Sequence, residues 1–318
     1  MAADRANRGG DTVTGQQDIR LVLADVDGTL VTEDKVLTEA AKAAARHLHE
    51  AGIALAITSG WPPRGMSMLV EPLALRCPAA GFNGGVLVNP DLSEIASHTL
   101  EPATARQAME LILGEGLDVW VYSAKTWWVR DKAAPHVARE AWTVKFDAEV
   151  VPSFTAAHLA HAVKIVGVSD DPDLVAACEG MARSALGRMA SAERSQPYYL
   201  DVTHPQANKG TVVTTLSRLL DIPANRIATI GDMPNDVSMF RAGGLSIAMG
   251  NASDAVKAQA DAVTDSNENE GFAQAIRNLI LAPTSRSPRG RLDAHAPDAA
   301  RLSRERPPPR ASAGKALQ

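Results

Sequence analysis

The chain has 318 residues, of which 45% are apolar and 22% charged, with a formal net charge of −5. That length suggests roughly two domains of about 150 residues each and enough apolar material for a sizeable core. The mild acidity argues against a nucleic-acid partner, and the lack of an apolar run of about 18 residues argues against a membrane span.

Residues 1–17 are polar and Gly-rich, with no apolar signal core. They predict a disordered N-terminal arm and a cytoplasmic location. Cys77 and Cys178 stand far apart, without Cys or His at metal spacing. They read as free thiols of a reducing compartment. Ile19 to Ala24 form an apolar run that ends in Asp25 and Asp27, followed at once by Gly28 and Thr29. "TEAAKAAARHLHEAG" then reads as a helix with Thr38 as N-cap and Gly52 as its stop. "IALAIT" (53–58) reads as a buried strand leading into the loop "SGWPPRG", and "PAAGFNGG" (78–85) as a short strand ending in an Asn-Gly turn.

The stretch 86–200 breaks this rhythm. It holds Trp120, Tyr122, Trp127, Trp128, Trp142, Tyr198 and Tyr199, and "VWVYSAKTWWVR" alternates on both sides of Ser123-Ala124-Lys125 as a hairpin does. It predicts an inserted α+β domain whose aromatics form a core and a sheet face. The strand–helix rhythm returns with "KGTVVTTLSRLLDI" (209–222), a helix with Val212, Val213, Leu216, Leu219 and Leu220 on one face. "RIATIGD" (226–232), "LSIAM" (245–249) and "ADAVT" (260–264) follow as short strands. Strands joined by helices imply an α/β fold, a Rossmann-like parallel sheet with helices on both faces, built from 18–85 and 201–281. The Pro- and Arg-rich segment 282–318 has almost no large apolar residues and reads as a disordered, solvated tail.

Four polar sets sit at the ends of the core strands or at the start of the helix at 209: Asp25/Asp27, Thr58/Ser59/Gly60, Lys209, and Asp232/Asn235/Asp236. In an open parallel sheet, ligands bind outside the carboxyl ends of the strands, so these sets converge on one crevice. Two like charges as close as Asp25 and Asp27 need a metal ion, a proton or solvation to offset their repulsion. Asp25, Asp27 and Asp232 suit a hard cation such as Mg²⁺, while Ser59, Lys209 and backbone N–H groups suit phosphate oxygens. One carboxylate can attack phosphorus, and its neighbour can exchange a proton with the leaving oxygen and then with water. A calcium-binding loop starting at Asp25 is excluded, because Leu30 and Val36 occupy the positions that need Gly and Glu.

In this order the motifs resemble those of the haloacid dehalogenase superfamily of phosphohydrolases. "DVDGTL" resembles its first motif, "ITSGW" its second, "NKG" its third and "GDMPNDVSMF" its fourth. The stretch that starts "AMGNASDAVKAQADAV" is similar to the end of the Cof-type branch, which carries a large α/β cap between the second and third motifs. The resemblance covers roughly residues 19 to 281 and places the cap at 86–200. It implies that Asp25 is the nucleophile and a Mg²⁺ ligand, and that Asp27 is the acid/base with its backbone carbonyl on the metal. Asp232 would be the third metal ligand. Ser59, Gly60, Lys209 and Asn235 would hold the phosphoryl group, with Asp236 and Thr58 behind them.

Trp61 stands where the family often has Arg, and reads as a packing residue against the cap; Arg64 is a substitute for the missing guanidinium. Arg130 and His136 are candidates for contacts that select the substrate. The implied activity is Mg²⁺-dependent hydrolysis of a small phosphate monoester, a sugar phosphate or related metabolite, through an aspartyl-phosphate. A phosphotransferase or phosphomutase with the same intermediate, and a non-catalytic phosphometabolite sensor, are the alternatives.

Overall fold

The computed structural model describes residues 18–282. The N-terminal arm expected at 1–17, and all but the first residue of the expected tail, lie outside the described residues.

The strands are β1 (Leu21–Asp25), β2 (Ala54–Thr58), β3 (Ala79–Gly81), β4 (Val86–Val88), β5 (Glu94–Ser97), β6 (Asp118–Tyr122), β7 (Trp127–Val129), β8 (Glu149–Val150), β9 (Lys164–Val168), β10 (Ser191–Gln196), β11 (Tyr199–Thr203), β12 (Ile227–Gly231), β13 (Leu245–Ala248) and β14 (Ala262–Val263). The α-helices are α1 (Glu39–Glu50), α2 (Pro63–Val70), α3 (Pro102–Gly114), α4 (Val137–Val144), α5 (Ala156–Leu159), α6 (Pro172–Leu186), α7 (Lys209–Leu220), α8 (Val237–Ala242), α9 (Asp254–Lys257) and α10 (Gly271–Ala275).

The first sheet runs β14-β13-β12-β1-β2-β3-β4-β5. Its strands from β14 to β3 are parallel, and β4 and β5 extend it antiparallel. Strands buried on both faces read as near-continuous apolar runs, and every residue of β1 and β12 is buried. Alternate residues feed opposite layers. Val22 and Ala24 join Ala44, Leu48, Met66 and Phe272 on one face; Leu21 and Leu23 join Val213, Leu216 and Met239 on the other. The helix over 39–50 forms as its cap predicts, with the Thr38 hydroxyl accepting from the Ala41 N–H.

The second sheet runs β10-β11-β9-β6-β7-β8, antiparallel except between β7 and β8. The expected hairpin is present, with Val121 opposite Trp128 and Tyr122 opposite Trp127. One face of this sheet packs on α3 and α6 through Val119, Val121, Ile165, Leu200 and Val202. Its other face carries Trp120, Tyr122, Trp127, Val166 and Tyr199, which share one buried cluster with the first sheet's residues. Trp120 and Trp127 pack edge to face with ring centroids 5.3 Å apart.

The strand pairing moves the borders expected for the insert. Residues 86–97 belong to the first sheet through β4 and β5, and β11 carries the second sheet on to Thr203. "VLV" (86–88) is too short for its pattern to say which sheet it joins. The chain therefore crosses between sheets after β5 and after β11. The two crossings meet where the His98 and His204 rings stack, 5.3 Å between centroids and 14° from parallel. Helix α2 of the first layer also touches α4 of the insert. A Cβ at Gly65 would come within 2.8 Å of the Val144 carbonyl oxygen, so only glycine permits that approach.

Candidate active site

The central strand β1 delivers Asp25 at its last position, between Thr58 at the end of β2 and the end of β12. Gly28 then turns the chain with φ +70°, and a Cβ there would collide with the Asp232 carboxylate. The turn that follows is wide: the Val31 N–H reaches back to the Val26 carbonyl.

Lys209, first residue of α7, lies 184 residues from Asp25 in sequence, yet its ammonium donates to Asp25 Oδ1 at 2.6 Å and to Asp236 Oδ1 at 2.5 Å. The lysine is 2% exposed. A charge buried to that depth is stable only when paired and hydrogen-bonded. Asp236 is fully committed, since its Oδ2 accepts the backbone N–H groups of Asp232 and Met233. Asp232 accepts from the Thr29 hydroxyl at 3.2 Å and from the Asn251 amide at 3.1 Å. The same Asn251 amide ties down the Gly28 carbonyl.

Oxygens of Asp25, Asp232 and Asp236 all fall within 4.8 Å of one another. Three buried carboxylates thus face one ammonium, which leaves two negative charges uncompensated. The imbalance registers in the titration of Asp25, Asp232 and Lys209. Burial, then repulsion from Asp236 and Asp232, pushes Asp25 well above the usual carboxylate range against the pull of Lys209. Asp232 is pushed to about 7, chiefly by burial and then by Asp236. Burial acts to lower the Lys209 ammonium, but Asp236 and Asp25 outweigh it and raise it. An all-oxygen donor set with two excess negative charges fits a hard divalent cation. Asp236 is the most committed of the three, with one oxygen on the buried Lys209 ammonium and the other on two backbone N–H groups, whereas Asp232 accepts only from the Thr29 hydroxyl and the Asn251 amide, so Asp25 and Asp232 are the carboxylates freer to turn to a cation.

Asp27 points elsewhere. Its Oδ2 accepts the Trp61 indole N–H at 2.7 Å, and its Oδ1 accepts the Lys35 ammonium at 2.5 Å. Both of its carboxyl oxygens are thus engaged by donors. Ser59 and Gly60 border the same cavity, and the Ser59 hydroxyl accepts the Trp61 backbone N–H at 3.1 Å. Asn235 donates to the Asn83 side chain at 3.1 Å, on the cavity wall. The Thr58 hydroxyl is buried and has no hydrogen-bond partner.

The cavity is about 570 Å³ and is walled by both sheets. Its far side carries Arg139, Glu140, Trp142, Lys164, Tyr199 and Asp201 from the insert. Lys164 pairs with Asp201 at 2.7 Å, and Tyr122 donates to Glu140 at 2.6 Å.

Several expectations change. Trp61 is 5% exposed as packing requires, but it is also a hydrogen-bond donor to Asp27. Arg64 stacks on the Phe146 ring at 4.6 Å and does not border the cavity, so it does not replace the missing guanidinium. Arg130 pairs with Asp118, and His136 bonds Asp170 while stacking on Tyr198. Neither borders the cavity; Arg139 does. Thr29, Lys35, Asn83 and Asn251 were not singled out from sequence. Thr29 and Asn251 stood inside the motif stretches and Asn83 in the Asn-Gly turn, with φ +56°, while Lys35 carried no signal.

No helix among the described residues is long and apolar enough to cross a membrane. Residues 22–276 match the haloacid dehalogenase-like hydrolase family. The chain is 24% identical over 264 residues to the 5-amino-6-(5-phospho-D-ribitylamino)uracil phosphatase YcsE of Bacillus subtilis, covering 83% of this chain and 97% of that one. It is 29% identical over 281 residues to the pyridoxal phosphate phosphatase YbhA of Escherichia coli, covering 82% and 99%. Among solved structures, a haloacid dehalogenase-like hydrolase from Bacteroides thetaiotaomicron superposes with a TM-score of 0.75 at 25% identity, covering 81% of this chain and 98% of that one. This chain belongs to the haloacid dehalogenase-like hydrolases, in the Cof-type branch, and is a phosphoric monoester hydrolase.

Proposed function

We propose that the protein hydrolyses a small phosphate monoester, a sugar phosphate or related metabolite, in a Mg²⁺-dependent reaction through an aspartyl-phosphate on Asp25. The observation that carries this reading is the buried Lys209 ammonium shared between Asp25 and Asp236, beside Asp232, at the carboxyl ends of β1 and β12.

Asp25, Asp232 and the Asp27 carbonyl would hold Mg²⁺, which when bound neutralises charge on the nucleophile and the phosphoryl oxygens. Lys209 fixes the Asp25 carboxylate and offers its positive charge to the phosphoryl group as charge builds there. Ser59, Gly60 and Asn235 orient that group. An Asp25 oxygen forms a bond to phosphorus while the bond to the ester oxygen breaks, and the Asp27 carboxyl passes its proton to the departing oxygen. Asp27, now a carboxylate, takes a proton from water as the water oxygen attacks phosphorus. The phosphorus–Asp25 bond breaks, releasing inorganic phosphate and restoring both carboxyl groups. The insert closes the cavity as a cap, keeps bulk water from the first step, and contacts the leaving group.

A cavity of about 570 Å³ suits a metabolite-sized ester. The two relatives above are named for phosphoesters of that size. The free thiols Cys77 and Cys178 agree with a reducing, cytoplasmic setting.

Asp25→Asn is expected to lower kcat on p-nitrophenyl phosphate by about 10⁴-fold or more with an unchanged circular dichroism spectrum. Chelation should abolish wild-type turnover and Mg²⁺ restore it. Retained turnover in Asp25→Asn, or turnover indifferent to chelator, would sink the reading. Release of inorganic phosphate, against isomerised sugar phosphate, separates hydrolysis from phosphoryl transfer to a second alcohol.

A further inference from the structure

We propose that Trp142 is a stacking platform in the cavity wall, and that the leaving group it takes carries a flat unsaturated ring. The inference rests on the reading of the cavity as a phosphatase site and names the class of ester that the insert selects.

Helix α4 has two faces. Val137, Ala141 and Val144, at i, i+4 and i+7, pack on the core cluster, whereas Arg139, Trp142 and Thr143, at i, i+3 and i+4, border the cavity. The helix thus carries its largest apolar side chain off its core-packed face, where Trp142 is 51% exposed. Apolar residues scattered singly over a surface are ordinary. Two at one cavity are not: Met233, 45% exposed, borders the same cavity from the loop after β12. Among the described residues, no other exposed large apolar side chain borders it.

Aromatic residues make up 4% of the chain, yet Trp61, Phe82, Trp142, Tyr198 and Tyr199 all border this cavity. Most of these rings are already covered. Trp61, Phe82 and Tyr199 are buried, and Tyr198 stacks on the His136 ring at 4.3 Å with the Arg139 guanidinium 5.6 Å from its centroid. Trp142 is the one that offers area. The Lys145 ammonium backs its ring at 4.4 Å from the centroid. A cation on one side holds the indole in place, so a ligand meeting the rest of it orders little that is not ordered already. A flat ring lays all its atoms on an indole at once, and aromatic pairs gain beyond the area they bury. A puckered ring or an open chain reaches the indole with fewer atoms. The same cavity is bordered by Asp25 and Lys209, so one ester can present its phosphoryl group to them and its ring to α4.

Benzyl, cyclohexylmethyl and ethyl phosphate all release an alkoxide, so they differ in what the insert meets and hardly in the chemistry at phosphorus. kcat/KM is measured for each with Mg²⁺ in the wild type, Trp142→Leu and Trp142→Phe. A half-exposed side chain can be exchanged without opening the core. The wild type is expected to favour the benzyl ester. Trp142→Leu keeps apolar bulk and loses the ring. It is expected to lose about tenfold on benzyl phosphate, about threefold on the cyclohexylmethyl ester and under twofold on ethyl phosphate, mostly through KM. Trp142→Phe should stay within about threefold of the wild type on benzyl phosphate. A loss in Trp142→Leu as large on the cyclohexylmethyl as on the benzyl ester, an even loss on all three, or no loss would overturn the platform. Wild-type turnover of p-nitrophenyl phosphate with none of benzyl phosphate would do the same. Turnover of no ester at all, or turnover that survives Asp25→Asn, would instead remove the phosphatase reading beneath it.

Discussion

The two ends of the cavity are built on opposite plans. At the Asp25 end, the carboxylates of Asp25, Asp232 and Asp236 and the Lys209 ammonium are all hydrogen-bonded, though the Thr58 hydroxyl beside them is not, and Lys209, Asp236 and Asp25 are each 3% exposed or less. At the other end, the insert presents a Lys164–Asp201 pair, the Tyr122–Glu140 bond and a ring of aromatics. The Tyr199 hydroxyl and Asp201 Oδ1 are buried there with no hydrogen-bond partner. Buried polar groups left unsatisfied are costly, and they persist where function uses them. The contrast teaches a division of labour. On the proposed reading, the strand-end cluster is rigid because the chemistry it would perform is the same for any ester. The insert keeps hydrogen-bonding capacity in reserve, which suits a surface that tells one leaving group from another.

Removing the centre of the rigid end should have the largest effect. Lys209→Met leaves Asp25 and Asp236 buried without a counter-charge. We expect a stability loss of about 3–5 kcal/mol, roughly 10 °C in Tm, with kcat down about 10³-fold. Near-normal Tm and kcat would show that the cluster does not depend on its ammonium.

At the reserve end the effect should be selective. Lys164→Met, assayed on a panel of sugar, polyol and pyridoxal phosphates beside p-nitrophenyl phosphate, should lower kcat/KM for the best metabolite about tenfold, mostly through KM. The synthetic ester should change under threefold. A uniform change across the panel would mean that the second sheet does not discriminate.

A third substitution tests how the two ends are held together. Gly65→Ala inserts a methyl against the Val144 carbonyl and should hold α2 and α4 apart. We expect kcat/KM to fall by about three- to tenfold and proteolysis at the two crossings to quicken. Unchanged proteolysis with unchanged kinetics would show that this contact has no part in closure.

The smallest effect concerns pH. Burial raises the Glu140 carboxyl above its ordinary value of 4.5, against the pull of Lys164 and the Tyr122 hydrogen bond. The folded chain therefore keeps a proton where the unfolded chain has lost it, and the stability this supplies drains away as pH climbs above 4.5. Glu140→Gln has no proton to lose. Its Tm relative to wild type should rise with pH between about 4.5 and 8, by roughly 1–3 °C. A constant offset across that range would contradict it.

The sequence carries the rigid end far better than the reserve end, for physical reasons. Asp25, Lys209, Asp232 and Asp236 stand at strand ends or helix starts, and a parallel sheet brings such positions to one edge whatever else the chain does. The long apolar runs of β1, β2 and β12 mark those ends plainly. Lys35 and Asn251 reach the site through side chains that leave turns, one of them at positive φ, and no periodicity reports where such a side chain lands. Trp61 was read as packing because an indole buried in a core looks the same in sequence with or without a partner for its N–H. Arg130 and His136 were plausible on charge and aromatic company. In the structure they pair with Asp118 and Asp170, and helix α4 puts Arg139 on the cavity instead.

The central strand has a consequence for biosynthesis. β1 lies between β2, made soon after it, and β12, whose Ile230 pairs with Ala24. A nascent chain that has finished the insert still shows one bare edge of this central strand, and Asp25 still awaits its lysine. Contacts so distant along the polypeptide slow folding and lengthen the exposure of sticky intermediates. The first sheet thus cannot be completed until the ribosome has passed residue 231, and truncated products ending earlier should be prey for chaperones or proteases.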